Sequence, residues 1–326
     1  MTKEETTLAL PRPAGIREYL AIARVDHSTK HIFIIPGLIL AYLLRGLRTD
    51  HLLLSLALGF ITALCIASAN YTINEWLDRD FDKHHPTKSQ RSAVQSVMNG
   101  KFVFLQWLVL VAIGLTSALL SSKLMFFVAC LFAAQGIAYN VPPFRTKDKA
   151  YLDVISESIN NPIRLVIGWA IVDPSSMPPG SILLVYWFGG AFLMAAKRLS
   201  EYREIVASHG VELLARYRPS FAHYSQVSLM ASCIAYSLLS ISFLSIFLVK
   251  YRIEYLLVLP FVVILFTFYF AMSTKPRSSA QRPETLFREP GLMVIVLALV
   301  LAFIVSTFID MPFLAAFTQQ DFIIIK

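Results

Sequence analysis

The chain has 326 residues, 56% of them hydrophobic and 15% charged, with a formal net charge of +8. So apolar a composition, with a mean hydropathy of +0.61, excludes a soluble globular protein and places the chain in a membrane. The positive charge does not indicate nucleic acid, because the basic residues fall in short segments between apolar runs, where membrane topology accounts for them.

Residues 1–30 carry Lys3, Glu4, Glu5 and Arg17 and no apolar core of signal type, so this segment is expected to stay in the cytoplasm. Nine apolar stretches follow that are long enough, or nearly so, to cross a hydrocarbon layer of about 30 Å as helices. They are 31–45, 51–75, 102–120, 123–140, 152–172, 181–197, 225–249, 254–272 and 291–309. With the amino terminus inside, the inner segments hold 22 of the 29 Lys and Arg residues, against six outside and Arg164 within a span. This is the asymmetry expected of inner loops. Cys65, Cys130 and Cys233 lie singly in apolar runs and read as small buried hydrophobes. The expected architecture is an all-α, multi-pass integral membrane protein of the cell inner (plasma) membrane. Residues 1–326 form one transmembrane domain, with 1–30 as a cytoplasmic amino-terminal segment.

The chemistry concentrates in the inner segments. Before the first span, Arg24 and Lys30 read either as groups at a cavity mouth or as interfacial anchors. Between Asn70 and Arg91 the chain packs four acids, four bases and two histidines against the end of an apolar run. If the helix continues, Asn70, Asn74, Asp78 and Asp82 recur every four residues and share one face. Asp78 and Asp82 suit a hard divalent cation that carries a diphosphate, and His85, Lys88 and Arg91 follow as candidate phosphate ligands. The alternative is a solvated basic loop. After span four, a proline pair stops the helix and presents Tyr139, Asn140, Arg145 and Lys147, which also reads as an ordinary basic inner loop.

In the fifth span, Asp153, Glu157, Asn160 or Asn161, and Arg164 form one helical stripe, either lining a polar cavity or pairing structurally. After span six, Lys197, Arg198 and Glu201 form either a second anion-holding cluster or a salt-bridged helix end.

At Asn74-Glu-Trp-Leu-Asp78-Arg-Asp-Phe-Asp82 the sequence resembles the Asn-Asp-x-x-Asp-x-x-x-Asp signature of the UbiA superfamily of intramembrane prenyltransferases, with Glu75 in place of the usual Asp. The resemblance covers nearly the whole chain. It implies a bundle of about nine transmembrane helices with a lipid-open central cavity, in which a metal-bound diphosphate is ionised. Asp82-Lys-His-His85-Pro-Thr-Lys88-Ser-Gln-Arg91 is similar to the Asp-x-x-His-Pro-x-Lys-x-x-Arg variant of the decaprenyl-phosphate phosphoribosyltransferase branch. Arg24 with Lys30, Asp153 with Arg164, and Lys197-Arg198 with Glu201 also match that branch. Asn-Glu-Trp-Leu-Asp-Arg and Tyr139-Asn-Val-Pro-Pro-Phe-Arg-Thr-Lys147 are instead similar to the chlorophyll-synthase and homogentisate-prenyltransferase type, and Ser92 stands where both groups often carry Pro.

The resemblance implies roles for individual residues. Asn74, Asp78 and Asp82 would hold Mg²⁺, with Asp78, Asp82 and Arg164 as the catalytic set. Lys30, His85, Lys88, Arg91, Tyr139, Lys147, Arg164, Lys197 and Arg198 would bind substrate phosphate. Asn70, Asp153, Glu157, Asn161 and Glu201 would line the cavity. Two reactions share this site: phosphoribosyl transfer from phosphoribosyl diphosphate to a polyprenyl phosphate, and transfer of a polyprenyl group from its diphosphate to an aromatic acceptor. In the second, Asp153 or Glu157 is the candidate base. The partners are a polyprenyl lipid, a diphosphate donor and membrane lipids, with no nucleic acid. A CDP-alcohol phosphotransferase needs an Asp-Gly dipeptide that this chain lacks. A transporter remains a remote alternative, since most of the charge sits at span ends rather than at the midplane.

Overall fold

The computed structural model describes residues 12–317 apart from positions 86, 277 and 282, without the side chains of 26–30, 215, 217, 281–285 and 315–317. The candidate phosphate ligand Lys30 therefore lies outside the described residues. A short strand β1 (Arg12–Pro13) leads into α1 (Ile16–Ile22), α2 (Ile35–Arg45) and the long α3 (Leu52–Asp82). Next come α4 (Ser92–Gln95), β2 (Ser96–Val97), α5 (Gly100–Ser121), α6 (Lys123–Asn140), α7 (Leu152–Ser158) and α8 (Asn160–Val172). The remainder is α9 (Gly180–His209), α10 (Glu212–Tyr217), α11 (Gln226–Tyr251), α12 (Leu259–Ser273) and α13 (Pro290–Phe308).

Among the described residues, seven helices are long and apolar enough to cross a membrane: α3, α5, α6, α9, α11, Ile253–Ser273 and α13. Two of the nine predicted stretches differ. The first, 31–45, begins in 3₁₀ geometry and becomes the 11-residue α2, with Pro36 in its first turn. The fifth, 152–172, is interrupted at Ile159 between α7 and α8. Pro162 explains the break, since it has no N–H to donate to the carbonyl of Ser158 four residues back.

Two helices run well beyond their predicted ends. α3 has 31 residues and so measures about 46 Å, and α9 with 30 residues about 45 Å. Each exceeds a hydrocarbon layer of about 30 Å by some ten residues. That surplus carries Glu75 to Asp82 on α3, and Lys197 to His209 on α9. The polar ends remain helical because each turn still closes its own backbone bonds. The residues read as a loop after span six are therefore part of α9.

Within the described residues the chain forms two compact units, Met1–Thr146 with Val166–Ser176 and Ala215–Pro219, and Lys147–Leu165 with Met177–Leu214 and Ser220–Lys326. In the first, α3, α5 and α6 pack on one another. α5 and α6 are joined by Ser122 alone, whose hydroxyl accepts from Met125 N–H as an N-cap, and Asn99 caps α5 by accepting from Lys101 N–H. Each such cap contributes about 1 kcal/mol. A Cβ at Gly136 of α6 would overlap the Asn70 amide of α3, so only glycine allows this approach. At the far end, Ala41 of α2 packs with Trp169 and Val172 of α8. There Asp173 is fully buried and accepts from Arg45 Nε at 3.1 Å, from Ser175 N–H and Oγ, and from Ser176 Oγ. In the second unit α9 packs on α7, α11 and α12, and α12 packs on α13.

Candidate active site

The aspartates sit on the part of α3 that outlasts the hydrocarbon thickness. A four-residue repeat on a helix of 3.6 residues per turn rotates about 40° at each step, so the row from Asn70 to Asp82 winds through about 120°. Asn70 turns toward α6, where its Nδ2 donates to the Phe132 carbonyl at 3.0 Å. Asn74 donates from Nδ2 to Asn140 Oδ1 at 2.6 Å and to Asp78 Oδ2 at 3.2 Å. Asp78 Oδ1 accepts from Arg145 Nη2 at 3.0 Å, and Asp82, buried, accepts from Arg91 Nη1 at 2.5 Å. Arg145 is fixed further by donating to the Asn140 carbonyl at 3.2 Å and by lying over the Phe81 ring at 5.2 Å.

His85 shapes the segment after α3. Its Nδ1 accepts from the backbone N–H groups of Thr87 and Lys88 at 3.1 and 3.2 Å, which places the proton of the neutral ring on Nε2. The turn it closes carries Lys88 and leads to Arg91. Tyr139 accepts from Arg218 Nη2 at 3.2 Å. The same unit thus gathers Asn70, Asn74, Asp78, Asp82, His85, Lys88, Arg91 and Tyr139 with two arginines absent from the predicted set, Arg145 and Arg218. Arg145 stood in the sequence as one member of a basic loop, and its partner lies 67 positions away.

The second unit holds a different cluster. Asp153 of α7 is fully buried and accepts from Tyr224 Oη at 2.7 Å, from Ser220 Oγ at 3.2 Å and from Arg198 Nε at 3.2 Å. Arg198 of α9 also donates to Glu157 at 3.1 Å and to Glu201 at 3.4 Å. Burial, and then the negative charge of Asp153, push the Tyr224 phenol well above its ordinary range. Three carboxylates surround the buried guanidinium of Arg198, the arrangement of the salt-bridged helix end that the sequence offers beside an anion-holding cluster. Asp153 and Glu201 are buried ion-pair partners of Arg198.

The break at Ile159 also separates Asp153 and Glu157 from Arg164. Arg164 is buried on α8 and donates from Nη1 to the Asn160 carbonyl at 3.2 Å. Asn161 lies against Gly190 of α9. Lys147 is buried and Lys197 half-buried.

A resident metal is tested by the donors present. Asp78, Asp82 and Asn74 offer only oxygen acceptors, the donor type of a hard cation. Among the described residues no group of three or more His, Cys, Asp and Glu side chains comes together to cage a metal. Two carboxylates with one amide fit Mg²⁺ that arrives with a diphosphate completing its coordination shell. Asn74 would contribute its amide oxygen, since its Nδ2 is the atom that donates to Asn140 and Asp78.

A sequence model of the UbiA prenyltransferase family matches residues 33–297, which include parts of both compact units. Over 168 residues the chain is 33% identical to the uncharacterized protein y4nM of Sinorhizobium fredii, covering 51% of this chain and 31% of that one. It is 29% identical over 194 residues to a protoheme IX farnesyltransferase of Geobacillus thermodenitrificans, covering 55% of this chain and 61% of the enzyme. The chain thus spans about a third of the first relative and less than two thirds of the second. Its fold is similar to the structure of a UbiA homolog from Archaeoglobus fulgidus bound to DMAPP and Mg²⁺, with a TM-score of 0.64 and 18% identity over 90% of this chain and 100% of that one.

Proposed function

Because the chain belongs to the UbiA prenyltransferase family, we propose that it is a Mg²⁺-dependent membrane transferase that ionises a diphosphate ester at the inner end of α3, with a polyprenyl lipid among its substrates. Residues 1–326 act as one domain, with the amino-terminal segment and the aspartate end of α3 on the cytoplasmic side of the inner membrane. The observation that carries the reading is the pair Asp78 and Asp82, each met by an arginine from outside the helix, Arg145 at 3.0 Å and Arg91 at 2.5 Å. Asp78 and Asp82, with Asn74, would hold Mg²⁺. When bound, the ion supplies Lewis-acid stabilisation of the departing diphosphate.

The chain's own residues do the rest. As the carbon–oxygen bond to diphosphate breaks, its electron pair leaves on the diphosphate oxygen. Arg91, Arg145 and Lys88 neutralise that charge and the Nε2–H of His85 donates a hydrogen bond to it, with Tyr139 as a further phosphate contact. One well-placed donor contributes roughly 3 kcal/mol, about a hundredfold in rate.

For the acceptor, the favoured reaction is phosphoribosyl transfer from phosphoribosyl diphosphate to a polyprenyl phosphate. An acceptor phosphate is already ionised and requires no base. The candidate bases in the second unit are engaged, since Asp153 is fully buried by Arg198, Ser220 and Tyr224, and Glu157 is paired with Arg198. A second reading, transfer of a prenyl group from its diphosphate, is supported by the farnesyltransferase relative and by the DMAPP-bound and GPP-bound homologs.

The test supplies purified protein in lipid with labelled phosphoribosyl diphosphate and polyprenyl phosphate, and in parallel with prenyl diphosphates and aromatic or porphyrin acceptors. Labelled lipid in the first arm alone supports phosphoribosyl transfer. Product only in the second establishes prenyl transfer, and no Mg²⁺-dependent product in either arm removes the enzymatic reading.

A further inference from the structure

Glu75 follows Asn74 in the motif, yet its side chain does not join Asn74 and Asp78. On α3 it is turned about 100° from Asn74 and stands two turns before Asp82 on nearly the same face, about 10 Å away along the axis. Its carboxylate is buried, with Oε2 at 3.9 Å from Arg24 Nε, and it lies within electrostatic reach of the Arg91 guanidinium, the Ala93 backbone N–H and the Asp82 carboxylate. Ala93 belongs to the first turn of α4, whose N–H groups have no intrahelical acceptor. Arg24 ends α1 in the left-handed region, at φ +50°, and lies over the Tyr71 ring at 5.6 Å.

Both partners of Glu75 belong to a strap. β1 pairs in parallel with β2, Asn99 N–H donates to Tyr19 Oη at 2.8 Å, and Gln106 Nε2 donates to the Tyr19 carbonyl at 2.9 Å and to Thr72 Oγ1 at 3.1 Å. Ile22, Ala93 and Val103 form a small core beneath it with Tyr19, Trp76 and Met98. Glu75 sits where α1, α3 and α4 meet, and Arg91, two residues before Ala93, is the arginine that holds Asp82.

We infer that Glu75 is a positioning residue: it fixes Arg24 and Ala93 in place, sets Arg91 against Asp82, and does not ligate the metal. The inference rests on the reading of Asp78 and Asp82 as the metal–diphosphate site. The test uses the full chain with Glu75→Gln, Glu75→Ala and Asp78→Asn. It measures Mn²⁺ binding in the presence of inorganic diphosphate by electron paramagnetic resonance, amide exchange in 12–24 and 92–99, and KM and kcat for the donor. Gln keeps an acceptor for Ala93 N–H, so Glu75→Gln is expected to hold Mn²⁺ affinity within threefold while raising donor KM about tenfold at nearly unchanged kcat. Glu75→Ala is expected to speed exchange in both segments at least tenfold.

Asp78→Asn should weaken Mn²⁺ binding at least tenfold. If Glu75→Gln weakens Mn²⁺ as much as Asp78→Asn does, Glu75 is a ligand and the inference is overturned. If both Glu75 variants leave exchange and donor KM at wild-type values, the positioning role is overturned. If Asp78→Asn leaves Mn²⁺ binding unchanged, the site reading itself fails and takes the inference with it.

Discussion

Replacing Arg145 with Gln isolates the contribution of the cation that faces Asp78. In the native arrangement Arg145 Nη2 lies 3.0 Å from Asp78 Oδ1, with the two side chains 14% and 19% exposed. Breaking a fully buried pair costs about 3–5 kcal/mol because the remaining charge is left uncompensated, whereas an exposed pair is worth less than about 1 kcal/mol. At this partial exposure a loss of about 2 kcal/mol of stability is expected, seen as a fall of several degrees in the unfolding midpoint in detergent. The catalytic effect should be larger. If the guanidinium meets charge that develops on the leaving diphosphate, its removal slows kcat about a hundredfold. The assay is single-turnover conversion of labelled donor at saturating Mg²⁺, alongside thermal unfolding of the same preparation. Turnover within threefold of wild type, together with the lower midpoint, would show that Arg145 only braces Asp78 and would refute its place in the mechanism.

Three further outcomes follow from the packing. Arg198→Ala strands Asp153, Glu157 and Glu201 and should cost about 3–5 kcal/mol, read as loss of a monodisperse elution peak; a well-folded variant with only a raised donor KM would restore a phosphate-binding role. Gly136→Ala should cost about 1–3 kcal/mol by driving a methyl into the Asn70 amide, measured as thermal stability. At Asp173 burial opposes ionisation, but Ser175, Ser176 and Arg45 outweigh it and hold the carboxyl well below the usual carboxylate range. With the folded value depressed, this stabilisation is fully present above the ordinary pKa of about 4 and is lost only as pH falls through the lower folded value. Asp173→Asn should therefore lower the midpoint by a constant amount between pH 5 and 8, with the gap to wild type closing below about pH 4.

How far the sequence discloses this molecule depends on the range over which each feature acts. Long apolar runs are local, and so the cores of α3, α5, α6, α11 and α13 were legible. Helix ends were less so, because the backbone of α3 keeps its hydrogen bonds past the point where hydropathy falls at Glu75. The interruption at Ile159 had a local signal in Pro162, but a single proline is equally compatible with a kinked, continuous span. The aspartate motif gave the carboxylates, while their arginine partners lie 9 and 67 positions away. At Arg198 the sequence left an anion-holding cluster and a salt-bridged helix end side by side, and its partners on α7 become visible only where α7 and α9 converge.

The central claim is that Asp78 and Asp82 together hold a metal-bound diphosphate while its bond to carbon breaks. The most direct measurement is product formation by purified Asp78→Asn and Asp82→Asn across a Mg²⁺ titration, on preparations whose unfolding midpoints match wild type within a few degrees. The account predicts that each variant loses at least a thousandfold in Mg²⁺-dependent turnover, with no recovery at high Mg²⁺. Near-normal turnover in both folded variants would contradict it.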